Sequence, residues 1–336
     1  MKITERAPQA SVPARPKNLM SAVDTDDPHA DAPAAVDKMV RVGGKEMPVA
    51  PASLGIKLSA GVCAAAGTYA AANMVSQIAS AGSAEGILLG SAVAAASGFA
   101  GYLAADLLSG FFHHAVDNYP KPDTPIIGNL ASDFLGHHYF ANSMEKLTVV
   151  GNLHPTAPAL APFLVGLAAL NPHYAVTAGC LSAIGGMIFG QASHRWTHQA
   201  DPPAIVKFLR KAGVAQEADD HRTHHKAPWT GNYCIINGAL NPLLDKSGFW
   251  RKYENVIHKI TGAEPKAWQH PAVKDYAQGK ISREEMDARF QAEIPIFKQN
   301  IGFAQEREYC RQVLTEELQG DPKQRYREMM SQVPAK

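Results

Sequence analysis

The chain has no excess of either charge: 32 Lys+Arg stand against 31 Asp+Glu in 336 residues, a formal net charge of +1. That balance argues against a general polyanion coat such as a DNA-covering protein. Cysteine is scarce too. Cys63, Cys180, Cys234 and Cys310 lie far apart with no CxxC pair, which excludes a disulfide-stapled scaffold and a thiolate zinc finger. Charge is most conspicuously missing from the middle: only 10 of the 63 Asp, Glu, Lys and Arg residues fall between Leu58 and Val206. The mean hydropathy of −0.16 hides this segregation, which is that of a membrane core with polar flanks.

Residues 1–50 lack clustered aliphatic and aromatic side chains and are rich in Ala, Pro, Asp and Ser. Too little apolar surface can be buried there to offset ordering entropy, so a disordered tail is expected. No apolar h-region follows the first charges, so this is not a secretory signal peptide.

The runs Leu58–Ala84 and Gly86–Ala105 carry no charge. Each is long enough to supply the roughly 20 helical residues needed to cross a hydrocarbon core of about 30 Å. Both are rich in Ala and Gly, which let helices approach closely in lipid. No Asp, Glu, Lys or Arg occurs between Lys146 and Arg195, and Asn171-Pro172-His173 marks a turn inside that run. The first half, Ala157–Leu170, is short for a span and carries Pro158 and Pro162; it is expected to kink or re-enter. Tyr174–Ser193 is a better span. The expectation is an all-α, polytopic membrane bundle of about four transmembrane helices. Lys207, Arg210, Lys211, Arg222 and Lys226 place the following segment on the cytoplasmic side by the positive-inside tendency. Three regions follow: a tail (1–50), a membrane domain (51–268) and a soluble, charged, helical extension (269–336). In the extension, Ser282–Glu285 reads as a capping box opening a helix through Phe290, and a second charged helix is expected from about Ala304 to Leu318.

Histidine is the second outlier. Eleven of the 14 lie between His113 and His225, most in tight groups: His113-His114, His137-His138, His194…His198 and His221…His224-His225. Residues at i and i+4 share a helix face, so His194 and His198 can serve one metal, and His221, His224 and His225 form one stripe. Each group sits just outside an apolar run, so all can converge at the membrane surface as a histidine-rich di-metal cap. Eight or more imidazoles overfill one zinc and divide naturally over two iron ions. Asp106, Asp117, Asp220 and Asn241 are candidates to accept the outer ring N–H of liganding histidines. His114 points about 100° away from His113 on a helix, and the place of His154 is open. His29, His258 and His270 read as surface residues, and His173 falls in a turn on the opposite side.

These motifs resemble a known family. Ala105-Asp106-Leu107, Ser109-Gly110, His113 and Asp117, the pair His137-His138, the run His194-Arg195-Trp196-Thr197-His198, and His221 with His224-His225 are similar to the Kua (CarF-like) lipid desaturases. So are Tyr233-Cys234-Ile235, Gly238, Leu240-Asn241-Pro242 and Gly248-Phe249-Trp250-Arg251. The resemblance covers about residues 85–265. It implies that the family's eight metal-binding histidines are His113, His137, His138, His194, His198, His221, His224 and His225. His114 stands where the family usually has Trp, and Ala141 where a Pro often follows the histidine pair.

What the resemblance implies is O2-dependent removal of two hydrogens from a lipid chain at a di-iron centre. The expected conversion is of a 1-O-alkyl (plasmanyl) phospholipid to a 1-O-alkenyl (plasmalogen) lipid, as in plasmanylethanolamine desaturase. Acyl-chain desaturation of phosphatidylglycerol is the related alternative. A hydroxylase on the same scaffold, a zinc hydrolase (no HExxH is present) and a non-catalytic metal or haem protein are the competing classes. Phe111 and Phe112 are expected to line the chain's slot, and Arg195, Arg222 and Lys226 to meet its phosphate. The sequence carries no flavin, nicotinamide, haem or ferredoxin motif, so a separate cytochrome b5-like or ferredoxin-like electron donor is implied. No nucleic-acid partner is expected. The expected location is a bacterial inner membrane, with the active site on its cytoplasmic face.

Overall fold

The computed structural model describes residues 39–42, 45–48, 51–141, 143–226 and 228–290. The second charged helix expected near residues 304–318, Cys310 and His29 lie outside them. Apart from one antiparallel hairpin, β1 (Met39–Val42) with β2 (Lys45–Pro48), the regular elements among the described residues are helices. The hairpin falls inside the tail expected to lack structure.

All four apolar segments are helices. Ser53 starts α1 (Leu54–Ala79) and Ser83 starts α2 (Ala84–Asn118), each hydroxyl accepting a first-turn N–H. α4 spans Ala157–Leu170 and α5 Tyr174–Thr197; between α2 and α4 lies the short helix α3 (Gly128–Tyr139). At 1.5 Å per residue, α1, α2 and α5 run to about 39, 52 and 36 Å, enough to cross a membrane. Leu58, Leu88, Phe99 and Val176 on these helices are exposed, as lipid-facing side chains are. α4 reaches only about 21 Å, so three helices rather than four have spanning length.

α4 nevertheless fills a fourth leg. It packs on α1 through Ala157, Ala161 and Leu164 around Cys63, and Asn171, in the left-handed conformation that ends it, accepts from Gln77 near the end of α1. Ala157 sits beside Cys63, the tenth residue of α1, so α4 begins well inside the bundle. The short 3-10 turns Ser143–Lys146 and Gly151–Leu153 occupy the height that a full-length helix would have filled.

The central contact is α2 against α5, made possible by small residues. A Cβ on Gly101 would lie 2.1 Å from the Gly179 carbonyl oxygen, and one on Gly186 would lie 2.9 Å from Ala105 Cβ. The two helices run in the same direction, with His113 and His194 together at one end and His173 capping the far end of α5.

Beyond that end lies a layer of short helices: α6 (Ala204–Lys211), α7 (Ala218–His224), α8 (Asn241–Lys246), α9 (Phe249–Thr261), α10 (Pro271–Ala277) and α11 (Arg283–Arg289). The capping box at Ser282 and Glu285 is formed and opens α11. The boundary expected after residue 268 runs through a packed cluster, because Ala267 and Trp268 share one core with Ala272, Val273, Ala277 and Met286.

The irregular segment Tyr233–Gly238 threads between α2 and this layer, buried for most of its length. Burial without regular partners would strand its N–H groups, and side chains meet them instead. Asp106 Oδ1 accepts from the N–H groups of Ile236, Asn237 and Gly238 at 3.1–3.2 Å, and Oδ2 from Leu240 at 3.4 Å. Ser109 accepts from Ile235, and Asn241 bonds both backbone groups of Cys234. A buried N–H left unpartnered costs about 1–3 kcal/mol. Asp106→Ala therefore lowers stability by roughly 3 kcal/mol or more, read as a fall in melting temperature of the purified protein. Asp106→Asn, which keeps one acceptor oxygen, falls less.

Candidate metal centre

The eight histidines singled out by sequence converge from five directions: His113 on α2, His137 and His138 on α3, His194 on α5, His198 at its C-terminal cap, and His221, His224 and His225 on or just after α7. They fall into two groups. His137, His194, His198, His221 and His225 bring one ring nitrogen each within 4.8 Å of one another. His113, His138 and His224 do the same together with a carboxylate oxygen of Asp117. The adjacent residues of each pair go to different groups: His137 and His224-His225 divide so that His137 and His225 join the first, His138 and His224 the second. Residues at i and i+4 (His194 with His198, His221 with His225, His113 with Asp117) stay together. The single stripe expected of His221, His224 and His225 is therefore split, because neighbours on a helix point about 100° apart.

The groups touch. Ring centroids are 4.8 Å apart for His137 and His138 and 4.9 Å for His138 and His225. Within the first group His221 Nε2 lies 3.0 Å from both His198 Nε2 and His225 Nε2. Within the second His138 Nε2 lies 3.1 Å from His224 Nε2, and Asp117 Oδ2 is 3.4 Å from His113 Nε2 and 3.5 Å from His224 Nε2. Three neutral imidazole nitrogens cannot all satisfy one another by hydrogen bonding. Separations near 3 Å are instead close to the edge of a coordination polyhedron with metal–nitrogen bonds of about 2.0–2.1 Å. His113 Nε2, His137 Nε2, both nitrogens of His194 and both oxygens of Asp117 are buried with no hydrogen-bond partner among the described residues. Such a set of orphaned donors fits two metal ions.

The outer ring nitrogens are directed by the backbone. Nδ1–H donates from His113 to the Tyr233 carbonyl (3.1 Å), from His224 to Gly231 (2.9 Å) and from His137 to Phe134. Each bond fixes the tautomer that leaves Nε2 for a metal. These carbonyls had no side-chain signature to betray them. Gly231 had an indirect one, since a Cβ there would lie 2.9 Å from Asp245 Oδ2.

The candidates for accepting outer ring N–H groups are placed differently from the expectation. Asp106 and Asn241 spend their polar atoms on the backbone of residues 234–240. Asp220 is exposed on α7. Asp117 lies among the ligand atoms themselves. His114 turns away from the metal groups, with Nε2 3.0 Å from Glu254 Oε1 and its ring stacked on Trp250 at 5.1 Å. His258 and His270 are remote, the latter capping α10.

Beside the first group opens a largely apolar cleft, walled by Phe134, Met144, Leu147, Pro155 and the ligand candidates His137 and His194. His154 lines it and is no member of either metal group. Phe112 packs on Phe134 at the cleft wall, whereas Phe111, also expected there, is locked among Phe249, Trp250 and Tyr253. Arg195 is buried and donates to the Leu147 carbonyl, bracing the cleft wall rather than facing a lipid phosphate. Burial pushes the nearby Glu145 carboxyl up to about 7, with Arg195 opposing the shift. Arg222 is exposed and paired with Asp219. Lys226 borders a second cavity with charges of both signs, together with Arg251, Arg283, Asp245, Glu254 and Gly231.

Residues 102–268 match the lipid desaturase domain. A mimiviral probable fatty acid desaturase is 30% identical over 182 residues, covering 52% of this chain and 88% of that protein. The chain belongs to the lipid desaturase family. Chloroplastic fatty acid desaturase 4 of Arabidopsis thaliana is 34% identical over 180 residues (53% of this chain, 55% of the plant protein). Plasmanylethanolamine desaturase of Myxococcus xanthus is 32% identical over 174 residues (49% and 61%). The chain thus spans less than two thirds of the length of these last two relatives. No solved structure matches. With its apolar helices, this member of the family is a membrane protein.

Two outcomes follow. Metal content of the purified protein is expected to be two ions per chain, one for each group that could hold a metal; Asp117→Ala or His224→Ala is expected to lower it toward one by emptying the second group. Burial and then neighbouring imidazoles hold His137, His138, His221 and His225 below the ordinary value of 6.5, and His198 falls to about 3. Their neutral forms are the ones that bind metal. Once unfolded, the same side chains take up protons near 6.5, so the unfolded chain binds more protons than the folded one. The metal-free protein is therefore expected to keep its full stability above about pH 6.5 and to lose it progressively as pH falls below that, seen as a declining melting temperature.

Proposed function

We propose that the protein is an O2-dependent, di-iron membrane lipid desaturase that converts a 1-O-alkyl phospholipid to its 1-O-alkenyl (vinyl ether) form. The observation that carries this reading is the shared wall: His137 and His194 belong both to a ligand group and to the lining of the apolar cleft. A lipid chain lying in that cleft passes directly beside the metals. A nitrogen-rich, thiolate-free ligand set with one carboxylate suits iron. When bound, iron supplies the oxidising power to break an unactivated C–H bond using O2.

The chain's own residues do the rest. Phe134, Met144 and Leu147 exclude water and hold the alkyl chain. The Tyr233, Gly231 and Phe134 carbonyls keep the imidazoles aimed, and Arg195 braces the cleft wall.

Two hydrogens leave the lipid and O2 leaves as two waters, so two electrons and two protons enter from outside. An external one-electron carrier of cytochrome b5 or ferredoxin type supplies the electrons in two single steps, and water supplies the protons. The second cavity, bordered by Lys226, Arg251 and Arg283 as well as Asp245 and Glu254, lies near the second group: its wall includes Gly231, whose carbonyl holds His224. The metal centre faces the cytoplasm in this reading, in a bacterial inner membrane.

The test is lipid mass spectrometry of cells expressing wild type or His198→Ala and supplied with a 1-O-alkyl phospholipid. Loss of two hydrogens with acid-labile aldehyde release, in wild type only, is the expected result. A new double bond in an ester-linked chain of phosphatidylglycerol instead would move the enzyme to the acyl-chain branch. No lipid change with iron and donor present would overturn the desaturase reading.

A further inference from the structure

The eight-residue helix α6 joins the two stretches that carry most of the ligand histidines, α5 with its cap and α7. Nothing in the metal centre or the cleft uses it. Its sequence divides sharply around the axis at about 100° per residue. Val206 is fully buried and points inward. Ile205 and Phe208 share an outward arc with Ala212 and are 61% and 63% exposed. Lys207 and Lys211 are exposed on the other side of the same outward face, with Arg210 next to them donating to the Trp196 carbonyl. Lys207 also pairs with the exposed Asp201. Viewed down the helix, the protein lies on one side, apolar side chains below and cations above.

The height of α6 is set independently. The Tyr102 hydroxyl of α2 donates to the Val214 carbonyl at 2.6 Å, just after α6. Tyr102 lies eighteen residues along from Ala84, about 27 Å at helical rise. That nearly matches a hydrocarbon core of about 30 Å, so if α2 enters the membrane near Ala84, Val214 and α6 lie where the hydrocarbon ends. Two exposed large apolar side chains at that level have one fitting environment, the acyl boundary, and the lysines above them reach the phosphate layer.

We infer that α6 is an in-plane membrane helix, seated in the leaflet on the metal side with Ile205 and Phe208 in the acyl boundary and Lys207 and Lys211 toward anionic head groups. Its occupant is the lipid surface itself, continuous with the lipid around α2 and α5. Because α6 leads into α7, this seat ties the height of His221, His224 and His225 to the membrane surface. The inference rests on the spanning helices alone and stands or falls separately from the reaction.

The test places nitroxide labels on the full chain in nanodiscs of phosphatidylcholine and phosphatidylglycerol. With Cys180→Ala and Cys310→Ala as background, single sites are made by Phe208→Cys or Lys207→Cys. Variants are compared only after eluting and binding metal as wild type does. The label at 208 is expected to collide mainly with oxygen, which concentrates in hydrocarbon, and the label at 207 mainly with a water-soluble nickel chelate. Equal nickel access at both sites overturns the inference. So does a 208 label shielded from both reagents, which would mean that a protein covers this face. In a second arm, Lys207→Gln with Lys211→Gln reduces the preference of spin-labelled phosphatidylglycerol over phosphatidylcholine at the protein's perimeter. An unchanged preference overturns the head-group contact.

Discussion

Everything near the centre of this protein is organised by the cost of burying nitrogen lone pairs. Seven of the eight imidazoles and Asp117 are buried, and His198 is half-buried, with few hydrogen bonds to replace water; a buried polar group without a partner costs on the order of 1–3 kcal/mol. A core of that composition is tolerable when the lone pairs have cations to meet. Metal binding and folding are then linked, since the ions stabilise only the arrangement that gathers these donors.

The rest of the fold serves that gathering. Parallel α2 and α5 approach closely through Gly101, Gly179 and Gly186, which brings His113 and His194 to one height. The buried segment Tyr233–Gly238 has no sheet or helix to satisfy it, so Asp106, Ser109 and Asn241 take its backbone groups. Its Tyr233 carbonyl then orients His113. The strongly placed carboxylate of Asp106 thus acts on the metal ligands only through the backbone it holds.

The shortness of α4 shapes the substrate side. Where a full-length fourth span would have packed against the histidines, the turns at Ser143–Lys146 and Gly151–Leu153 leave an apolar cleft that touches His137 and His194. The second cavity approaches the second group from the direction of Gly231 and Lys226. The apolar cleft and the second cavity thereby lie on different sides of the histidine layer.

Periodicity and composition determined a good deal. The uncharged runs of α1, α2 and α5 had to be helices in or near lipid, and the i, i+4 spacing put His194 with His198 and His221 with His225 on shared faces. The capping box at Ser282 was equally local. Longer-range choices belonged to the tertiary structure. Only packing could send His137 and His138 to different groups, turn His114 toward Glu254 and Trp250, and make Asp117 a ligand candidate while Asp106 and Asn241 became backbone partners. Only packing could bury Arg195 in the cleft wall. The physical reason is direction. A sequence states which face of its own helix a side chain occupies, but what that face meets depends on elements more than a hundred residues away, as His113 and Tyr233 show.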